Sequence, residues 1–452
     1  MSEEKKVVES RNQVLLGEAD GKHKPESPVA DLENVHPADG ADHLENLPLE
    51  EQKEVIRELP LEDAAEFIAE MEKHDRAALM KELSLERAAG ILGEMAPDDA
   101  ADVLDDFDES RRESLLKRVE DEDALEIERL MRFDPETAGG VMNTEVIVLE
   151  QGLTADQAIS LIRKAAEDTE IPYYAYVVDK DEKLIGVLSL RDLLLSRPGK
   201  ALKDLMQNQN LITATFDVDK EEVAHLISRY NFLALPIVDH EHRLLGIVTH
   251  DDVIDIIHEE ASEDMLGMVG AGHDETVDTP WLRSVLMRLP WLVVNVGNSA
   301  VAAWVVYQFE GTIAQMAILA ALMPIVANIA GNTGHQSLAV MIRQLAMERF
   351  DRRKAWGAVY REAKIGVVNG LAVALLVMLG VFLLTGKVSL AGVMAVALGL
   401  DMVVGNVAGA SFPLILKELG RDPAQSSSIF ITAITDAAGF FIFLGMAAFF
   451  LL

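Results

Sequence analysis

The last 24 residues, Ile429 to Leu452, contain one charged side chain, Asp436. At about 1.5 Å per residue, a helix of that length crosses a hydrocarbon layer of roughly 30 Å. A carboxylate at its middle is disfavoured by about 2.5–3.5 kcal/mol on insertion scales, so it turns to a water-filled path or a partner. The surrounding Ser426, Ser427, Ser428, Thr432, Ala433, Thr435, Ala437, Ala438 and Gly439 are small or hydroxylated. Small residues let helices approach closely. The plain alternative is an Asp that caps a neighbouring helix; the pattern points to a cation site in a pore.

Other carboxylates fall at helical spacing. Between Asp251 and Asp264 lie seven acidic residues and no Lys or Arg, and Asp252, Asp255, Glu259 and Glu263 share one helical face. Like charges so placed destabilise a helix unless cations neutralise them. A second patch, Asp98, Asp99, Asp102, Asp105 and Asp106, puts Asp98, Asp102 and Asp105 on one face. A solvated acidic surface is the ordinary explanation of such runs; a cation sensor is the functional one. A third group, Ala330-Gly-Asn-Thr-Gly-His-Gln336 after Pro324, lies in an apolar stretch. Its glycines predict a bent or unwound segment, tolerated at membrane depth where it lines a cavity. The amide oxygen of Asn332 is a hard ligand suited to Mg²⁺ or Ca²⁺. His335 is the single histidine after Trp281, and with no Cys in the chain it cannot complete a zinc site.

Several elements must position these groups. The chain has 452 residues and a formal net charge of −35. From Trp281 onward there are 12 Lys+Arg against 8 Asp+Glu, which leaves 28 against 67 of the chain's 40 and 75 for the part before it. That acidic soluble part excludes nucleic acid as a partner, since phosphate binding needs a basic face, and suits a cation. Residues 1–43, polar and rich in Glu, Lys, Asp and Pro, are expected to form a disordered acidic tail with no cleaved leader.

Residues 44–135 then carry a repeat. Leu47-Pro-Leu-Glu, Leu59-Pro-Leu-Glu, Met71-Glu-Lys-His, Leu83-Ser-Leu-Glu, Met95-Ala-Pro-Asp and Phe107-Asp-Glu-Ser begin at a constant spacing of 12. Short helices at a fixed period stack into a superhelix, because none can bury its apolar stripe alone. A second repeat has a period of 60. Val178-Asp179 with Leu184-Ile-Gly-Val-Leu-Ser-Leu-Arg-Asp192 returns as Val238-Asp239 with Leu244-Leu-Gly-Ile-Val-Thr-His-Asp-Asp252. Apolar runs near 285–309, 312–342, 365–386, 388–416 and 427–452 predict five spans within 281–452. Seven Lys or Arg lie between Arg343 and Lys364 and two between Lys417 and Asp422. The positive-inside rule puts those loops and the soluble part in the cytosol and Leu452 outside.

The longer repeat resembles a tandem pair of CBS domains, 136–198 and 199–258. The resemblance implies that Asp192 and Asp252, the first with Arg191, are the positions that contact an adenine nucleotide such as ATP, with Tyr174 and Phe232 near the base. Pro324 with Gly331-Asn-Thr-Gly-x-Gln336 and Arg343, Asp422-Pro-Ala, and Asp436 before Ala438-Gly439 resemble the MgtE family of magnesium channels. So does the order of parts: helical superhelix, α/β CBS pair, acidic connecting helix at 259–280, five-helix all-α membrane domain. The resemblance implies a multidomain homodimer in the cell membrane, a pore lined by the second and fifth spans, and Asp436 as the carboxylate that binds hydrated Mg²⁺, beside the candidate ligand Asn332. It also implies cytosolic Mg²⁺ sensing by Asp98, Asp102, Asp219, Glu221, Asp252, Asp255, Glu260, Glu263 and Asp264. Asn328 and Ala330 stand where many relatives have glycine, Asn231 where some have an acidic residue, and Asp401 is a carboxylate outside the family pattern. The rival expectations are a coupled carrier of Co²⁺ or Zn²⁺ and a CBS-regulated membrane enzyme. For the enzyme no phosphate-binding loop, His-Glu-x-x-His or Gly-x-Ser-x-Gly is present.

Overall fold

The structure, a computed structural model, describes residues 32, 35–165, 174–197, 199–272, 275–277, 279–347, 352–425 and 427–452. Most of the segment expected as a tail, and Ser426, lie outside the described residues. The chain divides into two units, Met1–Val223 with Phe232–Thr249 and Ala224–Asn231 with His250–Leu452.

The first unit opens with helices α1 (Pro37–Glu45), α2 (Leu49–Glu58), α3 (Leu61–Ala69), α4 (Lys73–Glu82), α5 (Leu85–Leu92), α6 (Pro97–Asp105), α7 (Glu109–Leu116) and α8 (Asp121–Leu130). Their first residues keep the spacing of 12 from Pro37 to Asp121. The period therefore runs one unit earlier and one later than the Leu/Met/Phe-led motifs indicate. Helix α1 also begins inside the 1–43 segment and buries Gly40, Ala41 and Leu44, so that part of the tail is folded. The corner before each of α3 to α8 is buried too, at Leu59, Met71, Leu83, Met95, Phe107 and Val119, while those before α1 and α2, Val35 and Leu47, are half-buried. Each helix packs on the next but one, giving an odd and an even column. Two arginines, two repeat units apart, tie the columns. Arg87 donates to Ile56 O at 2.7 Å and Leu59 O at 2.5 Å, and Arg111 donates to Met80 O at 2.7 Å. A guanidinium at a helix C-terminus satisfies carbonyls the helix leaves open and meets the negative end of its dipole.

Two three-stranded sheets follow. The first joins β1 (Val148–Glu150), β2 (Tyr174–Val178) and β3 (Leu184–Ser189) in that order, β1 parallel and β3 antiparallel to β2. Helices α9 (Ala155–Ala165) and α10 (Leu190–Leu195) belong to this half. The second joins β4 (Ala214–Thr215), β5 (Ala234–Val238) and β6 (Leu244–Thr249) in the same manner, with α11 (Lys220–Tyr230) between β4 and β5. The longer sequence period reaches the turns. Asp179 Oδ1 accepts from Asp181 N and Lys183 N, as Asp239 Oδ1 does from Glu241 N and Arg243 N. The two halves meet where Leu184 N donates to His242 O at 2.9 Å, and where Asn143 exchanges two backbone bonds with Ile247.

The second unit starts with α12 (His250–Val269). The acidic run Asp251–Asp264 lies within it, and the connecting helix expected at 259–280 begins and ends earlier in the chain. Gly270, at φ 73°, ends it. Ala271 N donates to Leu266 O and Gly270 N to Gly267 O, the bonds of a Schellman termination, which favours glycine at the left-handed position. Then come α13 (Trp281–Gln308), α14 (Glu310–Gln315), α15 (Ile318–Met347), α16 (Arg352–Thr385), α17 (Val388–Glu418) and α18 (Ser427–Phe450). Among the described residues four helices are long and apolar enough to cross a membrane: 281–308, 353–385, 388–418 and 427–450. Helix α15 has 30 residues, with Asn328, Asn332, Thr333, His335 and Gln336 diluting its apolar character. Helix α17 lies at the centre, packed by α15, α16 and α18. Leu390, Met394, Leu398 and Met402 bury against Leu322, Val326 and Phe443.

Candidate functional site

Helix α15 runs unbroken from Ile318 to Met347, which corrects the unwound segment expected at 330–336. Its glycines serve close approach instead. A Cβ on Gly334 would stand 2.7 Å from Ile431 Cγ2 and 3.1 Å from Gly405 O, and one on Gly405 would stand 2.6 Å from Ala330 O. A Cβ on Gly409 would run into Gly334 O. Backbone therefore lies on backbone where α15 meets α17, and only glycine leaves that space.

The register of α15 against α18 follows from two contacts. Gly331 faces Thr435, whose Oγ1 a Cβ at 331 would meet at 3.6 Å. One turn on, His335 Nε2 lies 3.3 Å from both Ser428 O and Thr432 Oγ1. The polar turn of α15 is thus level with Thr435 and Asp436. Asp436 is half-buried. Asn332 is exposed, and its amide donates to Asn328 Oδ1 at 3.3 Å.

Two further polar groups lie inside the bundle. Asp401 on α17 is 0% exposed, and neither of its carboxylate oxygens has a hydrogen-bond partner among the described residues. The second is a three-helix tie that sequence reasoning missed. Ser337 Oγ stands 2.8 Å from both Glu362 Oε2 and Asn406 Oδ1, while Asn406 Nδ2 donates to Met402 O at 2.8 Å. Glu362 also accepts from Arg361 at 2.6 Å. Each partner sits on a different helix, so no local spacing could have marked the set.

The acidic residues divide between the units. In the first, Asp98 is half-buried and Asp102 exposed, both on α6. Crowding by packed protein pushes the Asp102 carboxyl up to about 6 although the residue reaches solvent; Arg76 and Lys73 pull the other way. Asp219 and Glu221 are exposed at the start of α11, and Asp219 Oδ1 accepts from Glu221 N at 2.8 Å. In the second unit, α12 is one continuous helix. Asp252, Glu260, Glu263 and Asp264 are half-buried on it, and Asp255 and Glu259 are exposed. Beyond α12, Arg288 grips Glu275 through two bonds of 3.0 and 2.5 Å. Those bonds first, and Ser284 next, hold the Glu275 carboxyl at about 2.

Of the residues expected around a nucleotide, Asp192 is exposed at the start of α10 and accepts from Ser189 Oγ at 2.7 Å. It lines an open depression of about 870 Å³ with Leu195, Ser196, Arg197, Lys200 and Leu205. Tyr174, half-buried on β2, Arg191, exposed, and Phe232, half-buried before β5, are not among its walls.

Apolar helices around internal carboxylates, preceded by a helical repeat and a paired α/β module, define a multidomain membrane protein. A family model described as MgtE, divalent cation transporter, matches residues 323–446; one for the MgtE intracellular N domain matches 35–136; and CBS-domain models match 138–199 and 202–259. The magnesium transporter MgtE of Enterococcus faecalis is 34% identical over 330 residues, 73% of this chain and 72% of that one. Its namesake in Thermus thermophilus is 37% identical over 331 residues, 71% of this chain and 72% of that one. The chain belongs to the MgtE family. A crystal structure of the cytosolic domain of the Mg²⁺ channel MgtE in complex with ATP is 37% identical, covering 50% of this chain and 92% of that one, with a TM-score of 0.48.

Proposed function

We propose that the chain transports Mg²⁺ across the cell membrane as a homodimer, through a path lined by α15 and α18, with Asp436 holding the ion. The observation that carries this reading is a half-buried carboxylate on an otherwise uncharged helix, level with the polar turn of α15. Mg²⁺ takes oxygen ligands, releases its waters reluctantly and is held by one or two carboxylates. Asp436 and its symmetry mate would grip the hydrated ion without stripping it, with Asn332 as a neutral oxygen donor nearby. In this reading α15 is a fifth span, the soluble units face the cytosol, and the chain is a transporter rather than an enzyme. Asp436→Ala is expected to abolish Mg²⁺ uptake into proteoliposomes while the protein still folds; undiminished uptake would sink the assignment. Uptake that persists without a proton gradient separates this reading from a proton-coupled carrier of Co²⁺ or Zn²⁺.

Charge suggests the regulation. Two carboxylates about 8 Å apart repel by roughly 2 kcal/mol at an effective dielectric of 20. Asp252, Asp255, Glu260, Glu263 and Asp264 of α12, with Asp98, Asp102, Asp219 and Glu221, would hold cytosolic Mg²⁺ and close the path. A ligand shifts such an equilibrium only through its preference for one state. Replacing Asp252, Asp255 and Glu263 by Asn or Gln should leave a channel that opens at zero Mg²⁺ and no longer closes as Mg²⁺ rises. An unchanged closing curve in patch recordings would mean that the face is only a solvated surface. ATP is the proposed ligand of the CBS pair through Asp192, beside which Arg197 and Lys200 offer positive charge against the second carboxylate of that depression, Asp204; Tyr174, Arg191 and Phe232, which lie outside its walls, are not needed for this reading. Calorimetry of the full chain with ATP, against Asp192→Ala, tests it.

A further inference from the structure

We infer that Asp401 is the second carboxylate of the transport site, so that a divalent cation held by Asp436 is also drawn by a buried acid from α17. This rests on the proposed role of Asp436 and adds to it. Asp401 is 0% exposed within one chain, enclosed by α15, α16 and α18. Neither lipid nor a second copy of the chain therefore reaches it. Both of its oxygens lack a hydrogen-bond partner among the described residues.

Its place on α18 is built by glycine. Asp401 Oδ2 occupies the volume that a Cβ on Gly439 would need, beside Val326 of α15. Gly439 is three residues beyond Asp436, so the two lie on one face of α18 a turn apart.

No protein cation neutralises this pair among the described residues. On α18 the only titratable group is Asp436. On α15 His335 is engaged with Ser428 and Thr432, and Arg343 lies two turns further on. On α16 Arg361 is bound to Glu362, which also meets Ser337, and Lys364 stacks on Tyr360. Along α17 the next charges are Lys387 at its N-cap, nearly four turns before, and Lys417 and Glu418, more than four turns after. A buried acid with no donor and no countercharge is costly unless charge reaches it from outside. A cation held by Asp436, one turn along α18 from Gly439, would supply that charge.

The test uses the full chain in proteoliposomes, with uptake measured against external Mg²⁺. For Asp401→Asn we expect uptake to persist with its half-saturating concentration raised on the order of tenfold, the usual cost of removing a group that supports a metal site. Gly439→Ala, which leaves no room for the carboxylate, should move the curve the same way. In detergent without divalent ions Asp401→Asn should melt above the parent, and added Mg²⁺ should narrow the gap. An unchanged half-saturation in both variants, with equal melting, would overturn the inference and leave Asp401 as a permanently protonated acid. If Asp401→Asn does not fold, the Gly439→Ala curve decides alone. Failure of the transport reading is separate: it appears as uptake surviving Asp436→Ala.

Discussion

The helical repeat at Pro37–Leu130 and the bundle at Trp281–Phe450 are both stacks of helices, yet they are held in opposite ways. In the repeat, short helices bury Leu, Met, Phe and Val at the corners from Leu59 to Val119, and charged side chains close their ends, as Arg87 does on Ile56 and Leu59. In the bundle, long helices meet backbone to backbone at Gly334, Gly405 and Gly409. The cause is the solvent. Water rewards burial of large apolar groups and tolerates exposed charge. Lipid is as apolar as leucine, so helices there associate through close packing of small residues and internal polar contacts.

The largest break in that contrast should come from filling the backbone contact. Gly405→Leu puts a branched side chain where a Cβ alone would be 2.6 Å from Ala330 O. Overpacking of this kind costs about 1–3 kcal/mol or more, and the strain falls on backbone that cannot move aside. We expect loss of the folded bundle in detergent; a melting temperature near that of the parent would show that α15 and α17 are not in such contact.

A smaller effect sharpens the other side. Arg87→Ala removes charged bonds to two carbonyls, each such bond worth about 1.5–3 kcal/mol when buried. Since Arg87 is only part-buried, about 2 kcal/mol is the reasonable expectation for the whole set. Arg111→Ala, which removes the bond to Met80, should cost about half as much. Hydrogen exchange in the full chain should rise in 49–92 for the first and in 73–116 for the second. Equal protection in both variants would mean that the corners alone hold the stack.

The smallest effect concerns the joint before the bundle. Glu275, held at about 2 by Arg288 and Ser284, has a depressed pKa. Its contribution is therefore complete above the ordinary value of 4.5 and is lost as pH falls toward 2. Glu275→Gln should make the segment around 275–288 more open to protease at pH 7, and acidification of the parent toward pH 2 should approach the same state. A parent that stays equally protected at both pH values would show that the ion pair holds nothing.

Much of this architecture could be read from residue spacing, and what escaped has physical reasons. The shorter period was visible wherever a Leu, Met or Phe led the corner. It was lost at Val35 and Val119, where a β-branched residue takes the same place without the familiar Leu-x-Leu-Glu. The glycines at 331 and 334 suggested a bend because glycine frees the backbone. In the fold they give space, a use that depends on what lies opposite and so leaves no local mark. Asp401 stood out as an extra carboxylate, but its burial depends on Gly439, a residue of the next long helix. The Ser337–Glu362–Asn406 tie joins three helices and escaped for the same reason.

The two-column stacking of the repeat also limits how its length can change. Helix n rests on helix n+2, so removing one repeat unit would shift every later helix into the opposite column. Odd-column faces would then meet even-column ones. Removing two units together keeps every later helix in its own column. Duplications and deletions in this region are therefore tolerable only in pairs, and relatives with longer or shorter repeats should differ by an even number of units.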